Sequence, residues 1–195
     1  VLFRSAILAE DREQMRNEAV SLARYFERLI DSLEGRLATL TALDMAMSPL
    51  QIQRFLDSVI AEGGFKAIYL INPRGHVEYV ALPEEMALAR SNVVGADLSR
   101  NPLLASVRYL GRRAWSDRYL SALSGDATIG LAIPFNGYTL LGEVAPSFAS
   151  EVLRAGTADL VYPVLVVDRA GEYVVGKNLS ESERLRNWAA ELGGL

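Results

Sequence analysis

The first forty residues carry apolar side chains at intervals of three and four positions, the spacing of one face of an α-helix. The stripe consists of Met15, Ala19, Leu22, Phe26, Leu29, Leu33, Leu37 and Leu40. It predicts one helix over about residues 5–46, which is longer than an ordinary globular helix. We expect its C-terminal half to pack on a sheet. Its N-terminal half is expected to project or to pair with a second copy of the chain.

After this helix the chain alternates short helices with β-rich runs. A second helix is predicted to begin at Ser48, which forms a capping box with Gln51 and precedes Pro49 at the first helical position, and to end at Gly63-Gly64. Residues 65–82 predict a hairpin, and residues 101–111 a short helix. Strands are predicted over 114–122, 127–135 and 138–145. The order predicts an α+β fold, with a five-stranded antiparallel sheet and helices on one face.

A faint repeat divides the chain. Residues 67–80 and 163–175 are both an apolar strand, an Asx-x-x-Gly turn and a second β-rich strand. We therefore predict three parts: a signalling and dimerisation helix over 1–46, a ligand-binding module over 47–155, and a partial second module over 156–195. The helix of that second module is predicted to begin at Ser180.

Composition and motifs exclude several classes of function. The net charge of −4 and the lack of a basic run argue against nucleic acid as a partner. There is no cysteine, and no apolar run approaches the roughly 18 residues needed to span a bilayer. The first residues do not resemble a signal peptide and look cut from a longer chain. His76, the one histidine, lies in a turn, and no phosphate-loop, zinc or nucleophile motif is present, so neither catalysis nor a cofactor is expected.

Five segments carry a resemblance to a known family. They are IYLINPRGHV (68–77), GADLSRNPLLASV (95–107), WSDRYLSALSGDATIGLAIP (115–134), GYTLLGEVAPSFASEVL (137–153) and VLVVDRAGEYV (164–174). In this order they resemble the double Cache sensor domain, two PAS-like modules behind one long helix. The resemblance implies the extracytoplasmic part of an inner-membrane histidine kinase, diguanylate cyclase or chemoreceptor. It also implies a homodimer through the N-terminal helix; a ligand-free dimerisation module is the alternative.

In that family small ligands bind in the membrane-distal module, and the strand at 114–122 would line the pocket. As an uninterrupted strand it places Trp115, Asp117, Tyr119 and Ser121 on one side, with Leu120 and Ala122 packed on the other. On the next strand the small residues Gly130, Ala132 and Pro134 share a face, which leaves room over the sheet. Tyr69 of the first hairpin completes the predicted set. The alternative is that Trp115 and Tyr119 are core residues with a polar tip.

The class of ligand is inferred from the same resemblance. Members that bind amino acids carry Arg-x-Trp-Tyr, then Tyr-x-Asp, then a late Asp. Here Arg100 and Tyr119 match, but Ser121 and Ala145 stand where the two carboxylates would be. This predicts a small polar ligand rather than an amino acid, and a carboxylate held by Arg100 is one candidate. A surface salt bridge from Arg100 to Asp97 is the alternative role for that arginine.

Overall fold

The computed structural model describes residues 2–144, Phe148, residues 164–167 and 173–177, and Leu179. It begins with helix α1 (Leu2–Thr39), which closes in a 3-10 turn over Leu40–Ala42 and so ends before the predicted residue 46. Leu33, Leu37 and Leu40 are buried, which confirms the stripe in the C-terminal half of the helix. In the described part of the chain, none of the helices has the length and apolarity that crossing a membrane requires.

The short helices begin and end as their sequences predict. Helix α2 (Pro49–Ala61) starts at the Ser48 capping box, where Ser48 and Gln51 exchange hydrogen bonds. A 3-10 helix (Glu84–Ala89) runs into the single turn of α3 (Arg90–Val93). Helix α4 (Pro102–Leu110) is capped by Asn101, whose side chain accepts from the Leu103 amide at 2.9 Å. Gly111 ends it in the left-handed conformation at φ 63°, which glycine adopts without steric cost.

One antiparallel sheet forms the centre of the domain. Its strands are β1 (Ala67–Ile71), β2 (Val77–Ala81), β3 (Ala114–Trp115), β4 (Tyr119–Leu120), β5 (Ala127–Phe135) and β6 (Tyr138–Val144). The spatial order is β2-β1-β6-β5-β3, and β4 also pairs with β5. The α+β class is confirmed. The strand predicted over 114–122 occupies one edge of the sheet as two short pieces, β3 and β4.

The sheet is covered on both faces, so the expectation of helices on one face is wrong. A first core lies between the sheet and helices α1 and α2, and it contains Leu37, Leu56 and Leu131. A second core lies on the opposite face beneath α4, and it contains Tyr69 and Leu104. Every residue of β1 is buried, which is the continuous apolar pattern of a strand packed on both sides.

The second hairpin predicted from the repeat is confirmed within the described residues. Strands β7 (Val164–Val167) and β8 (Tyr173–Lys177) pair antiparallel, with Val164 opposite Lys177. The connecting turn and the helix predicted from Ser180 lie outside the described residues. The division into three parts stays a prediction.

Candidate functional site

The edge strand that was expected to line a pocket is interrupted between Trp115 and Tyr119. Trp115 lies opposite Leu131, whereas Tyr119 lies opposite Thr128, so four steps along this strand match three along β5. The extra residue lies between β3 and β4 and forms a β-bulge. It is fixed at Ser116, whose amide donates to the Gly130 carbonyl and whose Oγ accepts from the Gly130 amide, both at 2.8 Å.

The bulge reverses the face on which the later side chains lie, because the side-chain period of a strand is two. Trp115 packs against the first core, and its Nε1 donates to Glu34 Oε1 of helix α1 at 2.8 Å. Tyr119 and Ser121 point to the opposite face. The prediction that Trp115 shares a face with them is therefore wrong. So is the expectation for Leu120 and Ala122, since Leu120 is 72 % exposed and Ala122 is also exposed.

Three hydroxyl groups meet on one buried carboxylate in the second core, that of Glu143, whose exposure is 2 %. Tyr69 and Ser121 donate to Oε2 at 3.0 and 2.7 Å, and Tyr119 donates to Oε1 at 3.0 Å. We call these four residues the Glu143 cluster. Three of the residues predicted to bind ligand thus come together around a fourth that was not predicted.

The sheet makes room for this cluster by placing small residues beside Glu143. Its neighbours across β1 and β5 are Ala67 and Gly130. A Cβ atom at Gly130 would lie 3.0 Å from the Tyr119 hydroxyl and 3.0 Å from Leu103 Cδ2. The small face of β5 was predicted to leave a concavity. In the structure that space is filled by Tyr119 and by Leu103 of helix α4.

The electrostatics of the cluster keep both phenols protonated. Burial is the main cause that raises the pKa of Tyr69 above 10.0, and the negative charge of Glu143 raises it further. The same two causes, in the same order, raise the pKa of Tyr119. The tyrosines therefore act as hydrogen-bond donors to Glu143. Within the described residues, no lysine or arginine forms an ion pair with this carboxylate.

The other predicted site residues lie apart from the cluster or beside it. Ala132 is buried in the second core, and Pro134 lies on the same face of β5. Asp117 and Arg100 are exposed. Hydrogen bonds from Ser99 are the main cause that lowers the pKa of the exposed Asp97, and the charge of Arg100 is a minor one. Among the described residues, the ion pairs do not include one between Arg100 and Asp97, so the surface salt bridge named as the alternative role of Arg100 stays a prediction.

Glu143 was missed, although the sequence contains a signal for it. It lies in YTLLGEV, a run otherwise made of strand-forming and small residues, and its position has the same parity as Leu141. An acidic residue at a position that alternation assigns to a core is a candidate functional residue. The late carboxylate was sought two positions along the sequence, at Ala145, which lies outside the described residues.

Neither a family model nor a curated protein matches the chain, whereas solved structures do. An extracellular ligand-binding receptor from Desulfohalobium retbaense is similar with a TM-score of 0.72 at 14 % identity, over 89 % of this chain and 33 % of that one. The ligand-binding domain of the Pseudomonas aeruginosa chemoreceptor PctC, solved with GABA, has a TM-score of 0.56 at 17 % identity, over 91 % and 79 %. The ligand-binding domain of the Pseudomonas aeruginosa chemoreceptor PctB, solved with L-Arg, has a TM-score of 0.60 at 15 % identity, over 88 % of this chain and 66 % of that one.

These similarities establish the fold. The chain has the architecture of an extracellular ligand-binding receptor and of ligand-binding domains of chemoreceptors, which agrees with the Cache and PAS-like resemblance of its sequence. It spans about a third of the Desulfohalobium receptor.

Proposed function

We propose that this chain is the extracytoplasmic small-molecule-sensing domain of a membrane-bound signal-transduction receptor, and that the Glu143 cluster holds its ligand. The fold supports the sensing role, because it is the fold of domains solved with GABA and with L-Arg. A histidine kinase, a diguanylate cyclase and a chemoreceptor are all compatible outputs.

The single observation behind the choice of site is the buried carboxylate of Glu143. Removing a charge from water is costly unless an opposite charge or hydrogen bonds compensate for it. Three hydroxyls supply hydrogen bonds, but no cation of the described residues supplies a charge. A ligand with a positively charged amine would supply it through a charge-assisted hydrogen bond. We therefore propose an amine-bearing ligand in place of the carboxylate expected from Arg100.

Access to Glu143 requires Tyr119 and Ser121 to move. Both belong to the edge of the sheet, where β4 contributes two paired residues, Tyr119 opposite Thr128 and Leu120 opposite Ala127. Such a short edge strand costs few hydrogen bonds to displace. We propose that a ligand enters as this strand swings away from Gly130, and that the phenol of Tyr69 stays in place on the central strand β1.

Three four-carbon compounds test the proposed class of ligand in thermal denaturation. GABA carries an amine and a carboxylate, butylamine the amine alone, and butyrate the carboxylate alone. A ligand at about 100 times its Kd stabilises the folded state by about 2.7 kcal/mol. We expect GABA or butylamine to raise the Tm and butyrate to leave it unchanged. Stabilisation by butyrate alone would contradict the proposal.

Substitution at the carboxylate tests the proposed site. Glu143→Gln removes the negative charge. Its amide oxygen still accepts on one side, and its NH2 group can donate to a hydroxyl oxygen on the other, so amine binding should be lost while the domain stays folded. Glu84→Gln is the matched control, because Glu84 is exposed in the 3-10 helix after β2. If the Glu143 variant still binds the amine as the wild type does, the site lies elsewhere.

We also propose that the chain forms a homodimer through α1. The stripe that packs on the sheet at Leu33 and Leu37 continues towards the N-terminus as Leu22, Ala19 and Met15, and Met15 is exposed. A second copy would cover this part of the stripe. Sedimentation at rising concentration should show a dimer that Leu22→Glu abolishes. A dimer with no response to any ligand would favour the alternative, a ligand-free dimerisation module.

A further inference from the structure

One short segment of the chain, residues 113–121, contacts both faces of the sheet. At its start, Trp115 Nε1 donates to Glu34 Oε1 at 2.8 Å, and Arg113 Nε lies 2.9 Å from Glu34 Oε2. Both oxygens of this helix α1 carboxylate are therefore bound by the segment. The Glu34 side chain is 13 % exposed, whereas that of Arg113 is 61 % exposed, so the carboxylate is shielded from water and the guanidinium is open to it.

At its other end the same segment supplies two of the three donors to Glu143. Tyr119 and Ser121 reach that carboxylate on the face of the sheet opposite to α1. Between the two ends, Ser116 is bound to Gly130 through both its amide and its hydroxyl. Trp115 is covalently joined to Ser116, so a displacement at Trp115 first changes the contacts between Ser116 and Gly130, and through them the position of the residues that lead to Tyr119.

We propose that Glu34 is a positioning residue for the Glu143 cluster, which it holds in place through Trp115 and the bulge. The segment passes from one face of the sheet to the other, so it links the long helix to the cluster without crossing the hydrophobic core. Coupling between two sites is reciprocal. Movement of Tyr119 away from Glu143 therefore changes the contact between Trp115 and α1. This inference goes beyond the proposed function and holds for the protein without a ligand. Only its consequence, that a bound ligand would move helix α1, rests on the proposed function.

Nuclear magnetic resonance can test the link between Glu34 and the Glu143 cluster without any added ligand. The protein is labelled with 3-fluorotyrosine, and the Tyr119 signal among the eight tyrosines is assigned with Tyr119→Phe. The indole proton of Trp115 is assigned against the second tryptophan, Trp188, with Trp188→Phe. Glu34→Gln removes the ion pair with Arg113 and changes the acceptor for the indole. Glu27→Gln is the matched control, an exposed carboxylate two turns earlier on α1.

We expect Glu34→Gln to shift the Trp115 indole proton and also the Tyr119 fluorine signal by more than its linewidth. The signal of the exposed Tyr109, assigned with Tyr109→Phe, should stay in place, and Glu27→Gln should shift none of these signals. A variant in which the indole proton moves and the Tyr119 signal does not would overturn the proposal. So would a variant in which neither moves, because Glu34 would then not hold the segment.

Two further measurements keep the outcome decisive. If Glu34→Gln does not fold, Arg113→Gln removes the same ion pair by changing the arginine instead of the glutamate. The Arg113 side chain is 61 % exposed, so this variant should fold, and the Trp115 and Tyr119 signals are measured in it. If butylamine binds the wild type, its Kd should rise about five-fold or more in the Glu34 variant, the lower end of typical coupling. Loss of amine binding in Glu143→Gln bears on the proposed function, whereas the two resonances bear on the link, so the two proposals fail separately.

Discussion

Alkaline pH should destabilise this domain through the two phenols of the Glu143 cluster. Burial and the Glu143 charge raise the pKa of Tyr69 and of Tyr119, so both stay protonated in the folded chain while the unfolded chain titrates near the ordinary value of about 10. Above that pH the unfolded state binds fewer protons than the folded state, and stability falls as pH rises. The contribution is fully present below about pH 10 and is lost above it.

The size of the effect follows from the ordinary tyrosine pKa. One unit above that pKa, each protected phenol costs about 1.4 kcal/mol of unfolding free energy, and the pair about 2.8 kcal/mol. Total stability of a domain is typically about 5–15 kcal/mol, so the loss is measurable. Urea unfolding followed by circular dichroism at pH 8, 10 and 11 gives the free energy at each pH.

Single substitutions separate this effect from general alkaline unfolding. Tyr69→Phe and Tyr119→Phe should each reduce the loss between pH 8 and pH 11 by about 1.4 kcal/mol, whatever they cost at pH 8. Tyr109→Phe is the matched control, because that ring is 90 % exposed and lies outside the cluster. An equal loss of stability in the wild type and in both cluster variants would refute the reasoning.

Two further substitutions test the packing of the sheet. Gly142→Ala should destabilise the domain by about 1–3 kcal/mol in urea unfolding, because the new Cβ would lie 2.5 Å from the ring of Phe65. Gly35→Ala in α1 is the control and should stabilise the domain by about 0.5–1 kcal/mol, because the space around Gly35 is open. Equal effects of the two substitutions would contradict this packing. Leu120→Ala should change the free energy of unfolding by less than about 0.5 kcal/mol, because Leu120 is exposed, whereas Leu131→Ala should cost about 2–5 kcal/mol, because Leu131 is buried. If thermal denaturation shows the reverse order, the register assigned between β4 and β5 is wrong.

Local signals in the sequence predicted most of the elements. The capping box at Ser48, the cap at Asn101 and the Asn136-Gly137 hairpin turn depend on a few neighbouring residues, and each appears as predicted. The turn residues Asn136 and Gly137 have φ values of 47° and 81°, the positive values that a tight hairpin needs. Strand β5 also has its predicted bounds, residues 127–135.

The candidate site could be predicted only in part, because the missing information is not local. The bulge at Ser116 depends on Gly130 of another strand, and a single extra residue changes the face of every later side chain. This is why the shared face predicted for Tyr119 and Ser121 is found, whereas Trp115 lies on the other face. Glu143 could be recognised as a buried carboxylate once both faces of β6 were known to be covered, which depends on helix α4 packing across the sheet.

The interruption of the outer strand also bears on how the domain avoids self-association through its sheet. A long regular edge strand offers a row of free amide and carbonyl groups to another chain. Here that edge consists of two-residue strands separated by a bulge, so it presents no continuous row for a further strand to join. At the opposite edge, Val77 is already hydrogen-bonded to Gly95 and Ala96. A one-residue deletion within 116–118 would straighten the first of these edges, and it would expose the domain to strand-by-strand aggregation.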